Sequence, residues 1–324
     1  QDGDAVVVTF VSTGATLRLE GWTVAELQAE NAASGEDVIG TFGDDVLNGT
    51  DGNDFIDPQG NDDGFDAVNA STGDDEIDFS NSGGESFVEL NYSGLDGPIT
   101  AGIDYSNNTG FVDKGADGFD SLTNPNTTGE SLGIGLVGTA GDDTYNITQG
   151  TGFSWVGIVY DGGDDVINAS LNTGTVRVDT SGEATTADLS TGQISFASGS
   201  IQLNATGSGG QIELRTFDED DSITGSDADE RFILGAGTDT LDGGLGFDTV
   251  RYDRGDVTTG VTVNLATGLA TGLWDGQAFE HSLSNVEAVR GSRNADDTLT
   301  ASDSGAFLDG RGGNDTITGG AGED

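Results

Sequence analysis

Between residues 216 and 251 an acid returns at every ninth position, as Asp221, Glu230, Asp239 and Asp248. Two residues after each acid stands an apolar side chain, Ile223, Phe232, Leu241 and Val250. Written in nines, the stretch reads TFDEDDSIT, GSDADERFI, LGAGTDTLD and GGLGFDTVR, with the acid sixth and the apolar residue eighth. The same phase returns at 292–324 as SRNADDTLT, ASDSGAFLD, GRGGNDTIT and the fragment GGAGED, which place Asp297, Ala306, Asp315 and Asp324 at the sixth position. It is present at 40–57 with Asp45 and Asp54 and, after a three-residue insertion, at 61–78 with Asp66 and Asp75. GTAGDDTYN (138–146) and YDGGDDVIN (160–168) add Asp143 and Asp165. Carboxylates at a fixed interval inside glycine-rich turns are the donor set of a hard divalent cation. Calcium takes about six to eight oxygens and accepts carboxylates and carbonyls together.

These blocks resemble the G-G-x-G-x-D-x-U-x nonapeptide of the RTX (repeats-in-toxin) family, a calcium-binding repeat. GGLGFDTVR matches it at every defined position, and GGAGED matches as far as it runs. The other blocks depart mainly at the first two glycines, often as Gly-Thr.

The period dictates the elements that must hold these acids. Residues seven to nine of a block make a very short strand with the eighth residue inward, and residues one to six make the turn. Glycine serves where a turn needs positive φ or close backbone approach. Two blocks complete one coil of a parallel roll, so turns on one edge lie eighteen residues apart in an uninterrupted run. A calcium ion between successive turns on an edge would join Asp221 with Asp239, Glu230 with Asp248, and Asp297 with Asp315. The interrupted clusters would join Asp45 with Asp66, Asp54 with Asp75, and Asp143 with Asp165. Turn carbonyls near Gly43, Gly52, Gly64, Gly73, Gly141, Gly163, Gly237, Gly244, Gly246, Gly313, Gly320 and Gly322 would complete the shells. Weak or absent calcium is expected at Glu230, whose turn lacks the glycines, and opposite Asp324, where Ala306 removes a carboxylate. The fifth-position acids Asp44, Asp74, Asp142, Asp164 and Asp220 are read as solvent-facing or as serving the neighbouring shell.

The chain of 324 residues carries 58 Asp and Glu against 10 Lys and Arg, a net charge of -48. Self-repulsion on that scale opposes a compact state. Disorder is one way out, since the composition suits it. Yet 33 % of the residues are hydrophobic and recur at regular spacing, which favours a fold neutralised by bound cations. Nucleic acid and anionic membrane surfaces both need clustered Lys and Arg. Without cysteine there is neither a disulfide nor a thiolate metal site. No apolar run approaches the length of a membrane span. No signal peptide is visible, and the sequence starts at Gln1 and stops in mid-repeat; a segment of a longer polypeptide is expected.

The expected fold is all-β, an elongated parallel β-roll or β-helix solenoid with calcium-binding turns and calcium-free stretches. Residues 1–39 read as a β-hairpin followed by a short helix, TVAELQAEN, which together cap the roll; Thr23 and Glu26 would form the helix's capping box. Calcium clusters are assigned to 40–96, 138–182, 216–259 and 292–324, the last truncated. Strand-rich connectors are assigned to 97–137, 183–215 and 260–291. The connectors share look-alike segments (97–112, 184–199 and 260–276) with alternating apolar residues, which reads as strand; Val261, Val263 and Leu265 would share a face. Nine-residue apolar spacing through Ile167, Val176, Ile194, Leu203 and Ile212 suggests that the roll continues without calcium. Trp22, Trp155 and Trp274 would fill strand cores or wide turns, or else mark a sugar-binding face.

His281 is the only histidine, which rules out an H-E-x-x-H zinc site. There is no cysteine nucleophile and no G-x-S-x-G elbow. A glycosidase-like carboxylate pair stays open, because carboxylates are everywhere. No catalytic residue is assigned and no enzyme is expected. The favoured reading is a calcium-binding extracellular structural protein, of adhesin, surface-layer or matrix type, that folds on calcium after secretion. The alternative is a calcium-dependent secretion and stability module of a secreted protease, lipase or alginate epimerase; both occur in the family this chain resembles. The resemblance further implies export by a type I machine and a secreted or cell-surface location. Expected partners are calcium ions, together with further copies of the chain or cell-surface and matrix components. Nucleic acid and membrane insertion are not expected.

Overall fold

The computed structural model describes residues 5–9, 16–20, 35–59, 64–82, 87–125, 132–151 and 155–322. Among the described residues the regular structure is nearly all β, and the helical content is one 3-10 turn, Gly115–Asp117. No helix there is long and apolar enough to cross a membrane.

The strands fall where the nine-residue period puts them. Val46–Asn48, Phe55–Asp57, Glu76–Asp78, Ser222–Thr224, Thr249–Arg251, Thr298–Thr300, Phe307–Asp309 and Thr316–Thr318 are each residues seven to nine of a block. Successive side chains of a strand point to opposite faces, so in a three-residue strand only the middle one can face the core. Ile56, Ile77, Ile223, Val250 and Leu299 are accordingly buried. Full burial of such a side chain contributes roughly 1.5–3 kcal/mol. Ile317, in the last described strand, is 52 % exposed.

Consecutive strands alternate between two sheets. One is 11-stranded and runs in parallel pairings from Val46–Asn48 to Phe307–Asp309. The other runs from Asp37–Ile39 to Thr316–Thr318; these two end strands do not pair with each other. Buried apolar residues of both sheets form one continuous core. This parallel two-sheet arrangement is β-roll-like. On the outside, ninth-position asparagines stack from coil to coil: Asn69 donates to Asn48, and Asn204 to Asn168, which donates to Asn146.

The second sheet contains three antiparallel inserts: Thr100–Asp104, Thr109–Asp113 and Phe119–Thr123; Thr186–Asp188, Gln193–Ser195 and Gly199–Gly207; Thr262–Asn264, Leu269–Trp274 and Gln277–Ser284. In each, the third strand doubles back to lie parallel to the coil before the insert, while the first strand pairs with the coil after it. The look-alike segments of the sequence are thus strands, and Val261 and Val263 are buried as expected. The expected unbroken coil through Ile194 is corrected. Ile194 is buried, but on a middle antiparallel strand, opposite Ile201. A hairpin closed at Gly192, at φ +73, preserves a spacing while reversing the chain's direction.

At the N-terminus, Ala5–Thr9 and Thr16–Glu20 pair antiparallel as the predicted hairpin. The predicted helix TVAELQAEN lies outside the described residues, as do Trp22 and Asp324.

Candidate metal-binding turns

Sixth-position acids stack in columns along the two edges. The Oδ1 of Asp239 accepts the backbone N–H of Asp221 at 2.9 Å, and that of Asp248 accepts the N–H of Glu230 at 2.9 Å. Asp315 does the same for Asp297 (2.9 Å), Asp66 for Asp45 (3.0 Å), Asp75 for Asp54 (2.9 Å) and Asp165 for Asp143 (2.9 Å). All six predicted pairs are therefore adjacent, whether 18, 21 or 22 residues separate the partners. Asp54, Asp66, Asp75, Asp143, Asp165, Asp221, Asp239, Asp248 and Asp297 are buried; Asp45 and Asp315 are half-buried.

The other carboxylate oxygen separates two kinds of turn. In five turns the acid is held by its own loop. Thr41, Thr50, Thr139, Ser226 and Ser292 donate their backbone N–H to Asp45, Asp54, Asp143, Glu230 and Asp297 respectively. Each also donates its hydroxyl to the same carboxylate. This gives the Gly-Thr departures from Gly-Gly a physical role. In other turns the Oδ2 atoms of Asp66, Asp221 and Asp248 are buried without a hydrogen-bond partner. Burial, reinforced by neighbouring carboxylates, pushes Asp165 and Asp248 up to about 8 and Asp66 upward. Burial and the nearby Asp239 charge push Asp221 up to about 6.

Position four sets the spacing. Gly246 has φ +118, and a Cβ there would lie 2.3 Å from the Ala228 carbonyl oxygen one coil below. Gly163 stands over the Gly141 carbonyl in the same way. Gly73 lies over Gly52, Gly237 over Glu219, Gly244 over Ser226, Gly313 over Ala295 and Gly320 over Ser302, while Gly322 lies against Ser304. The Gly64 carbonyl instead accepts the N–H of Phe87, and the Gly43 N–H donates to Thr41 Oγ1. Fifth-position acids face solvent and tie turn to turn. Asp44, Asp74, Asp142 and Asp220 accept the N–H groups of Phe65, Phe119, Asp164 and Thr238, and Asp164 accepts the Ser200 hydroxyl.

Four residues of these columns escaped the sequence reading. Asp120 accepts the N–H of Asp75, and Glu287 that of Asp248. Both had a signal: GADGFDSLT (115–123) and SLSNVEAVR (282–290) are blocks in phase, with Asp120 and Glu287 sixth. Lys114 and His281, buried at 2 % and 0 % exposure, place nitrogens beside Asp75 and Asp239. A lone lysine and a lone histidine have no periodicity to betray them. Trp274 is buried in the core, and Trp155 lies beneath Arg177 at 4.5 Å.

Among the described residues, no Lys, Arg or His pairs with Asp45, Asp54, Asp66, Asp143, Asp165, Asp221, Asp248, Asp297 or Asp315. Arg177, Arg215, Arg251 and Arg254 are engaged elsewhere, with Asp179, Asp256, Asp253 and Glu213. Nor do three His, Cys, Asp or Glu side chains converge as a ready-made metal cluster there. Each turn supplies one carboxylate, so backbone oxygens must provide the rest of any shell. Unpartnered buried carboxylate oxygens among carbonyls are an all-oxygen donor set, which suits a hard divalent ion. The chain matches no family model and no curated protein.

A pH dependence follows. Asp165 and Asp248 hold protons in the folded state up to about pH 8, whereas in the unfolded chain they release them near the ordinary carboxylate value. The metal-free fold is therefore favoured at low pH, and this contribution is lost as pH rises through the folded values. Without metal, lowering the pH from about 8 to about 5 should shift the chain toward the folded state, read as a gain of β signal by circular dichroism. Were these acids to hold a divalent cation, the trend would reverse, because the ion must displace those protons. A metal-free β signal that stays flat across this range would contradict the buried state of these acids.

Proposed function

We propose that this chain is a calcium-binding extracellular structural repeat protein of the RTX type, an elongated β-roll solenoid that folds when calcium enters its turns after secretion. The observation that carries this reading is the set of stacked, buried acids without counter-cations, three of them with an unpartnered Oδ2. Burying an unpaired carboxylate is prohibitive unless it is protonated or met by a cation. Asp221 with Asp239, Asp248 with Glu287, and Asp66 and Asp165 with their turn carbonyls are the residues that would hold calcium. The loop-held acids Asp45, Asp54, Asp143, Glu230 and Asp297 are bound by Thr and Ser and serve as caps in this reading. Calcium would supply the missing positive charge, and no catalytic role is assigned.

Ion binding and folding are then one event. At a calcium concentration about 100 times its Kd, one site adds about 2.7 kcal/mol to stability. With low calcium inside the cell the -48 chain stays unfolded and can be threaded through an export channel; external calcium folds it.

Paired substitutions test the reading. Asp248→Asn keeps the Oδ1 that accepts the Glu230 N–H but removes the charge. In saturating calcium it should cost roughly 1–3 kcal/mol, the range for loss of a specific structural site. In chelator the same change should not destabilise, since the ion whose ligand it removes is already absent. Asp220→Asn, at an exposed fifth position, should stay within about 0.5 kcal/mol. Calcium titrations of both variants by calorimetry decide. Equal effects would mean diffuse attraction rather than a coordination shell.

A further inference from the structure

The cation position in these turns can be located from the protein's own nitrogens. Lys114 Nζ lies 2.7 Å from the Ser71 carbonyl oxygen, 3.2 Å from Asp75 Oδ2 and 2.5 Å from Asp120 Oδ1. His281 Nε2 lies 3.2 Å from the Gly235 carbonyl oxygen and 3.0 Å from Asp239 Oδ2. Ser71 and Gly235 are second residues of their blocks, and Asp75 and Asp239 are sixth. Two side chains from different inserts thus converge on the same two atoms of the repeat. Because the Gly235 carbonyl can only accept, Nε2 is the protonated ring nitrogen, and Nδ1 faces the Tyr252 hydroxyl at 3.1 Å.

We infer that Lys114 is a tethered cation filling, in the Asp75–Asp120 turn, the place a calcium ion takes in sister turns, and that His281 holds the corresponding place at Asp239. The inference rests on the calcium reading and goes beyond it by marking turns that need no metal. The placement has a logic in the chain. Asp75 and Asp239 are the last nonapeptide acids on their edge before an insert, and each lies beside the strand that returns from it. The insert brings its own nitrogen: Lys114 follows strand Thr109–Asp113, and His281 lies within Gln277–Ser284. Desolvating a lysine to 2 % exposure is costly unless it is paired, and here two carboxylates and a carbonyl surround it. Asp165 provides the internal contrast. It too precedes an insert, but it faces Ile201, and among the described residues no cationic side chain reaches it; its turn remains one that needs an ion.

Lys114→Ala opens the position, and native mass spectrometry of the calcium-loaded chain counts the result. K114A should bind one calcium more than the unmodified protein, and its melting temperature should gain an added dependence on calcium. Lys114→Met, which fills the space without charge, should gain no ion and should not be rescued. An unmodified protein that binds calcium while K114A gains none overturns the assignment alone. Failure of the unmodified protein to bind any calcium overturns the underlying reading and the assignment with it. Should K114A not fold, terbium soaked into crystals of the unmodified protein decides by anomalous scattering. Peaks are expected at Asp221 and Asp248 and none at Lys114 Nζ or His281 Nε2; a peak displacing either nitrogen overturns the inference.

Discussion

Replacing Gly246 by alanine is expected to lower the stability of the folded protein by about 3 kcal/mol or more, a large fraction of the roughly 5–15 kcal/mol of a typical domain. Two effects combine. At φ +118 an L side chain is strained, and the new Cβ would sit 2.3 Å from the Ala228 carbonyl oxygen, a contact only separation of the coils relieves. Separating them breaks the Glu230 N–H to Asp248 bond in the same turn. Two other glycines isolate the terms. Gly276 has φ +79 but nothing within 4 Å, so alanine there should cost strain alone, about 1–2 kcal/mol. Gly255 has neither problem, and its alanine variant should stay within about 0.5 kcal/mol. Denaturant unfolding of the three variants is the measurement. Equal costs at Gly246 and Gly276 would show that the coils are not stacked this closely.

Spacing made the strands and the acid columns legible. A nine-residue period fixes which residue faces inward, and the eighth-position side chains of the interior coils are buried as that logic requires. The pairing of Asp45 with Asp66 across an insertion was also readable, because each block keeps its phase and the insertion loops out. Direction was not readable. Ile194 keeps the period on a strand that runs backwards, since spacing counts residues and is blind to a reversal at Gly192. Asp120 was hidden by the irregular sequence around it, although Gly118-Phe119-Asp120 repeats the Gly246-Phe247-Asp248 triplet. The division of acids into capped and open kinds needed the loop geometry. It depends on whether Thr or Ser at the head of the turn aims its N–H and hydroxyl at the carboxylate. Lys114 and His281 reach their acids from other elements, and no local pattern encodes such contacts.

On the proposed reading, calcium, rather than apolar burial alone, makes this chain fold. With -48 formal charges and buried acids lacking cations, the metal-free folded state carries both long-range repulsion and local desolvation costs. Each bound ion removes part of both. Neighbouring turns share backbone and core, so occupancy of one coil should favour the next, giving a cooperative transition. Magnesium should substitute poorly, because it demands tight octahedral geometry and keeps its waters. The most direct measurement is far-ultraviolet circular dichroism of the purified chain during chelation and calcium return. The expected result is collapse of the β signal in EDTA and its recovery in one steep step with calcium but not with magnesium. A β signal unchanged by chelation would contradict the account.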